Sequence, residues 1–559
     1  MRQSRASEQN RWLLIVSVLL VGLVSLVQPG CDCSTDGSFG VAPVASVFPE
    51  ENSDTALVST EVVVFFGVDM NGPSVESAFT LTESGGADQP AVVVYDATTM
   101  AATLTPVADL ISGTEYTATI SSSIQDAAGN LPLASDFVWS FSISQATELV
   151  SKDTGGIVGV DTSANASIDG NGRFVVFESE ATNLTTASTT LNRNHIYRKD
   201  NITGEVLLVS SDAVGLEANN NSFSPRISDD GRFVVFMSNA TNLSSIFTGG
   251  TLQVFIKDMD DGSVDLVSRD ASGLVVANNT AENPDVSNDG RFVVFESRAT
   301  NLSLLNLNGA TQIFIKDMSD DSVAMVSRNT TQTAGGTGDS NRPRMSPDAR
   351  FIVFDSIAGS SIVATATSIR SVYLVDTSAP TVTELVSVDS SGVQGNGASV
   401  NASISDDGTF IAFESQATNL ITGDTNGALS DIFRRDRTSP GLTELVSTAD
   451  GITSGDDASI GASISANGSF VAFESASTNL VTETNLGLTD IFVRDFSTAP
   501  TVTVEKINLS QTGQEATNNS TNASISSDGR YVSFDSPFNY DVVDTNTIND
   551  VYRSNNNTF

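Results

Sequence analysis

The chain has 559 residues, with 27 Lys and Arg against 67 Asp and Glu, for a net charge of −40. That charge repels phosphate backbones and excludes general nucleic-acid binding. One His and two Cys remove most zinc sites, most Ser-His-Asp chemistry and any disulfide framework.

The first 30 residues form an address label. Arg2, Arg5 and Arg11 precede an apolar run from Trp12 to Val27. A run of about 16 residues suits a signal-peptide core better than a membrane span. It ends in Gln28-Pro29-Gly30-Cys31. This end resembles the lipobox of bacterial lipoproteins. Gly30 and Cys31 match that pattern and Gln28 departs from it. The resemblance implies lipidation of Cys31; an ordinary secreted protein and an uncleaved anchor are the other readings. Cys31 and Cys33 also suit a small local disulfide. Residues 31–40 read as a polar tether.

Residues 41–145 carry short β-branched and aromatic runs at Val62–Phe66, Ala91–Tyr95, Tyr116–Ile120 and Phe137–Ile143. Turn residues such as Asn71-Gly72-Pro73 and Gly129-Asn130 separate them, which predicts a β-sandwich. Trp139 and Phe141 alternate with polar neighbours and are expected to point inward. Several segments together resemble the bacterial Ig-like domain of S-layer and other envelope proteins. They are Phe66-Gly67-Val68-Asp69-Met70 with Ser74-Val75, Leu104-Thr105-Pro106 with Gly113-Thr114-Glu115-Tyr116, Asp126-Ala127-Ala128-Gly129-Asn130, and Trp139-Ser140-Phe141. Asp126 and Asn130 are expected to tie a turn through Asx hydrogen bonds rather than to hold a metal.

From 146 to 559 the chain repeats itself. A unit of the form S-x-D-G-R-F-V-V-F-E-S recurs around Gly172, Gly231, Gly290, Ala349, Gly408, Gly468 and Gly529, a period of about 60 residues. Each period holds four strand-like pieces, such as the third strand Asp431–Asp436 and the fourth strand Thr443–Ser447. A lone four-stranded unit cannot bury both faces, so the units stack around an axis. The piece T-E-L-V-S first occurs at Thr147–Ser151, before any complete unit, and the last unit lacks it. The predicted fold class is therefore all-β: an Ig-like β-sandwich followed by a seven-bladed β-propeller whose N-terminal strand closes the last blade. Six blades follow if one unit is extruded. The repeat, with Met345-Ser346-Pro347-Asp348 as its nearest local match, resembles the TolB-type propeller. That resemblance speaks to fold and only weakly to function.

Several constellations bear on function. Ala-Thr-Asn-Leu follows the second strand at Ala181–Leu184, Ala240–Leu243, Ala299–Leu302 and Ala417–Leu420. Repetition favours a structural turn, with Asn bonding backbone and Leu plugging the seam between blades, over a ring of ligand-binding Asn. The loops 356–360 and 536–540 break this pattern and are places for a specific site. Asp424, Asn426 and Asp431 resemble a degenerate calcium loop, with solvated turn residues as the alternative. The recurrent Asp200, Asp258, Asp317, Asp376, Asp436 and Asp495 are expected to form turns. His195, at the head of a third strand, is expected at a surface or strand edge.

No singular acid–base cluster stands out, so no catalytic residue is assigned and no cofactor is expected beyond that calcium. The expected function is an exported envelope lipoprotein, or a secreted protein, whose non-catalytic propeller binds a protein or glycan. Contact with the membrane runs only through the N-terminal anchor. The alternative is a carbohydrate-active enzyme with pore-facing carboxylates.

Overall fold

The computed structural model describes residues 44–49, 51, 61–84, 86, 88–108, 110, 114–143, 147–185, 193–305, 307–422, 424–438, 441–481, 487–497, 503–509, 516–541, 544 and 546–556. The signal peptide, the tether and Cys31 lie outside the described residues. No described helix is long and apolar enough to cross a membrane.

The first unit is two antiparallel sheets. One orders its strands Val44–Phe48, Val62–Phe66, Ala101–Pro106 and Ala91–Asp96. The other orders Phe79–Glu83, Glu115–Ile120 and Phe137–Ser142. Alternation aims one face of each sheet inward. Trp139 and Phe141 are buried in the common core with Val62, Val64, Leu81 and Tyr116. At the 126–130 turn, one Asp126 carboxylate oxygen accepts the N–H groups of Ala128 and Asn130 at 2.9 and 2.8 Å, the expected Asx geometry.

Beyond it stand seven four-stranded antiparallel sheets. The innermost strands are Ser163–Ile168, Ser222–Ile227, Ala281–Val286, Ser340–Met345, Ser399–Ile404, Ser459–Ile464 and Thr521–Ile525. Each touches the next, and the seventh touches the first, so the sheets close into a ring. Six sheets are built from consecutive strands. The seventh takes its outermost strand from Glu148–Leu149, which pairs antiparallel with Asp550–Asn555. Arg553 and Glu148 add an ion pair at 2.8 Å across that junction.

The second strands read as near-continuous apolar runs because neighbouring blades cover both faces. Val175, Val176 and Phe177 are all fully buried. In register, Phe177 stacks on Tyr197, Phe236 on Phe255 and Phe295 on Phe314, with centroids 5.9–6.0 Å apart. The same cross-strand stack recurs in the other four blades. Such pairs add about 0.5–1.5 kcal/mol each beyond area burial.

The hairpin glycines do more than turn the chain. Gly231, Gly290, Gly408, Gly468 and Gly529 all have positive φ. Each also lies against an aromatic ring of the preceding blade: Phe174, Phe233, Phe351, Phe410 and Phe470 respectively. Gly172 closes the circle against Tyr531 of the last blade. The arginine that follows several of these glycines reaches the end of the third strand. Arg173–Asp200, Arg232–Asp258 and Arg291–Asp317 each pair at 2.7 Å. Those Asp side chains also accept backbone N–H groups two residues on, as turn formers do.

Candidate functional site: the axial channel

The seven inner strands enclose a channel of about 400 Å³ along the ring axis. A bulge shapes its wall. One residue near the start of each inner strand (Asn165, Ser224, Asn283, Arg342, Asn401, Gly461 or Asn522) has φ between 49° and 69°. Asn and Gly tolerate that region best, and they hold five of the seven places. The register against the second strand slips at this point.

The bulge leaves a backbone N–H facing the preceding blade; in four blades a carboxylate there accepts it, and Asn283 N instead meets the Met237 sulfur at 3.3 Å. The fifth residue of the second strand is Glu178, Met237, Glu296, Asp355, Glu414, Glu474 or Asp535. Glu178 accepts from Ser224 N at 2.7 Å, Glu296 from Arg342 N at 2.5 Å and Glu474 from Asn522 N at 2.8 Å. Asp535 accepts from Asn165 N at 2.9 Å across the closing seam. Burial raises the pKa values of Glu178 and Glu296 and pushes Glu474 and Asp535 up to about 7. In blade four Asp355 is instead claimed by two guanidinium groups, Arg342 at 2.8 Å and Arg370.

The residue two after the positive-φ position breaks the repeat. It is Ser167, Ser403, Ser463 and Ser524 in four blades, but Arg226, Asp285 and Arg344 in three neighbouring ones. Asp285 accepts Met345 N at 2.9 Å, which braces blade three against blade four. Near the hairpin end Ser527 reaches past blade one to donate to Asp229 at 2.6 Å. Gly170 makes room: a Cβ there would lie 2.9 Å from the Asp229 carbonyl.

The sequence-derived candidates lie elsewhere. Asp431 opens a third strand and accepts the Ser447 hydroxyl at 2.9 Å. Asn426 donates to the Gly455 carbonyl at 2.9 Å, and Asp424 accepts the Asn426 N–H at 3.2 Å. Among the described residues no three His, Cys, Asp or Glu side chains gather as a metal group. The Ala-Thr-Asn-Leu asparagines are structural. Asn183, Asn242, Asn301 and Asn419 each clasp an N–H and a carbonyl of the loop entering the inner strand. Leu184, Leu243, Leu302 and Leu420 are buried beside them. The two loops that break this pattern are filled by core. Ala358 and Ile362 pack inward in one, and Phe538 and Tyr540 join an aromatic cluster with Phe534 and Tyr552 in the other.

His195 does open a third strand, but it is buried rather than at the surface. The loop after the fourth strand covers it, and its Nδ1 sits 3.2 Å from the Ser210 hydroxyl. Gln253 and Gln312 occupy the same place in the next two blades and accept the hydroxyls of Ser268 and Ser327 at 2.6 Å. Asp431 with Ser447 and Asp550 with Ser151 repeat the clasp. The position is a polar lock between the third strand and the returning loop, filled by different residue types.

A β-sandwich followed by a closed ring of four-stranded sheets defines the class: a two-unit β protein ending in a propeller. Residues 42–143 match the family described as bacterial Ig-like domain. No curated protein matches the chain. Among solved structures the chain is similar to TolB from Acinetobacter baumannii, at 14% identity and TM-score 0.35, covering 75% of this chain and 77% of that one. It is also similar to an oligogalacturonate lyase in complex with manganese, at 10% identity and TM-score 0.44, covering 74% and 96%. The β-propeller domain of the Trilobed protease from Pyrococcus furiosus is similar at 13% identity and TM-score 0.40, covering 67% and 91%.

Proposed function

We propose that this is an exported cell-envelope protein, lipid-anchored at Cys31, in which an Ig-like spacer presents a non-catalytic propeller that holds a protein or glycan at its axial channel. The bacterial Ig-like match and the signal-like first 30 residues support the address. The observation that carries the non-catalytic part is the fate of the acids around the channel. Glu178, Glu296, Glu474 and Asp535 each accept a backbone N–H of the neighbouring blade. A glycosidase needs two carboxyl groups free to meet the scissile bond. Here the buried acids hold the bulges that shape the wall.

The test is a glycan array and an array of purified envelope proteins, both probed with the lipid-free secreted chain, with any bound glycan assayed for cleavage. Saturable binding without product is expected. Product release from a bound glycan overturns the reading and favours the carbohydrate-active alternative.

A further inference from the structure

The channel wall carries two arginines that have no close ion-pair partner among the described residues. Arg226 and Arg344 both line the channel. Neither has a carboxylate within 4.0 Å among the described residues, whereas most other described arginines of the ring do. The Arg226 guanidinium has no hydrogen-bond partner among those residues, and that of Arg344 donates to the Pro343 carbonyl at 2.8 Å. The pKa of Arg226 is held down to about 9, first by the charge of Arg344 and then by burial, with Asp285 opposing. Two like charges in a confined space are costly unless something answers them. The chain has carboxylates in large excess, yet on these three blades only Asp285 shares the channel wall with the two arginines. The adjacent Asp285 is held by the backbone N–H of Met345, and Asp355 is engaged by Arg342 and Arg370. On the blade next to that of Arg344, Ser403 buries a hydroxyl oxygen with no hydrogen-bond partner among the described residues.

We propose that the axial channel binds a small oxyanion carrying two negative charges, of the phosphate or dicarboxylate kind, between the guanidinium groups of Arg226 and Arg344 and the serine wall that includes Ser403. The proposal deepens the reading of the propeller as a binding module and rests on it. Guanidinium groups present planar forks of N–H donors that match carboxylate and phosphate oxygens. A dianion answers both guanidinium charges at once. A space of about 400 Å³ falls in the usual range for small-ligand sites. The repeat supports a specific role: four blades keep Ser at this position, and the charged residues sit on three adjacent blades.

Calorimetry and thermal melting of the full secreted chain, titrated with inorganic phosphate and separately with succinate at constant ionic strength, test this. Saturable binding with a rise in Tm is expected for at least one of the two. Arg226→Gln and Arg344→Gln are each expected to weaken that binding by roughly tenfold or more. Both variants are expected to melt no lower than the parent without anion, because each removes a repulsion. Arg298→Gln, which removes a surface ion pair to Asp339, is expected to bind as the parent does. No saturable binding of either probe overturns the proposal, as does binding that survives both channel substitutions. If Arg226→Gln loses the anion but keeps a captured envelope ligand, the site stands and that ligand lies elsewhere on the module. If the parent binds neither probe yet still captures an envelope ligand, the site falls and the binding-module reading remains.

Discussion

Gly231 lies so close to Phe174 of the preceding blade that a Cβ on it would stand 2.2 Å from the ring. Its φ of 74° adds a second reason for glycine. Gly231→Ala therefore overpacks a buried seam and strains the backbone together. Such changes cost about 2–4 kcal/mol. Urea or thermal unfolding of the variant measures it. The fourth blade carries Ala349 at this place, with φ 58°, and its seam with Phe292 holds a cavity of about 370 Å³. Ala349→Gly relieves the backbone and enlarges the void, so its stability is expected to stay within about 1 kcal/mol of the parent. A Gly231→Ala protein as stable as the parent would contradict the tight seam.

Glu474 gives the channel a pH signature. Burial, and then the charge of Glu414, push its pKa from 4.5 up to about 7. Asp535, which feels the charge of Glu474, is pushed to about 7 as well. Between the unfolded and folded values the native protein holds a proton that the unfolded chain has lost. Stability is therefore fully present below about pH 4.5 for this group, and it falls as pH rises toward 7. Glu474→Gln keeps an acceptor for the Asn522 N–H and removes the titration. The variant is expected to exceed the parent by up to about 3 kcal/mol at pH 8 and to match it near pH 4.5. Chemical denaturation at those two pH values measures the difference; equal gains at both would refute the assignment.

Much of this architecture is legible in the residues, and the illegible part has a common cause. The hairpin Asp-Gly, the apolar second strand and the displaced Thr147–Ser151 segment are local patterns, and they define blade, period and ring closure. The aromatic neighbour of Gly231 lies a full blade earlier, so only its turn role shows locally. Glu474 meets a backbone N–H of the next blade, and no side-chain pattern marks such a partner. Arg226, Asp285 and Arg344 do leave a trace: they interrupt a run of Ser at one position of the repeat. Which face of the inner strand lines the axis depends on the bulge at Ser224, Asn283 and Arg342, and alternation alone misplaces it.

His195 fills a place that its neighbours fill with glutamine. Its Nε2 has no hydrogen-bond partner among the described residues, whereas the amide of Gln312 donates to the carbonyls of Leu307 and Gly336. Burial is the main cause lowering the His195 pKa, with Glu217 opposing and Arg193 adding to the shift. A depressed folded value means that stability is present above the unfolded pKa of about 6.5 and is lost as pH falls below it. His195→Gln is expected to gain about 1 kcal/mol at pH 7 and to lose this acid dependence. His195→Ala leaves a void and an unanswered Ser210, costing about 2 kcal/mol. Melting curves of the two variants from pH 5 to 8 check both.

Calcium at Asp424, Asn426 and Asp431 and a polar lock at Asp431 make opposite predictions. In the lock, Asp431 accepts the Ser447 hydroxyl just as Gln253 accepts Ser268. Burial pushes its pKa up to about 7, so the neutral form is favoured there. Asp431→Asn keeps a carbonyl for Ser447 and removes a charge that the site disfavours. On the lock, the variant melts at or above the parent temperature at pH 7, and EDTA moves neither protein. On calcium, the parent melts higher with the ion, EDTA removes that gain, and Asp431→Asn abolishes it because a hard cation loses an anionic oxygen. In the fold Asp431 accepts the Ser447 hydroxyl and the Asn426 amide donates to the Gly455 carbonyl, while the buried Asn426 Oδ1, the oxygen a cation would take, has no hydrogen-bond partner among the described residues, so the melting experiment separates the two readings.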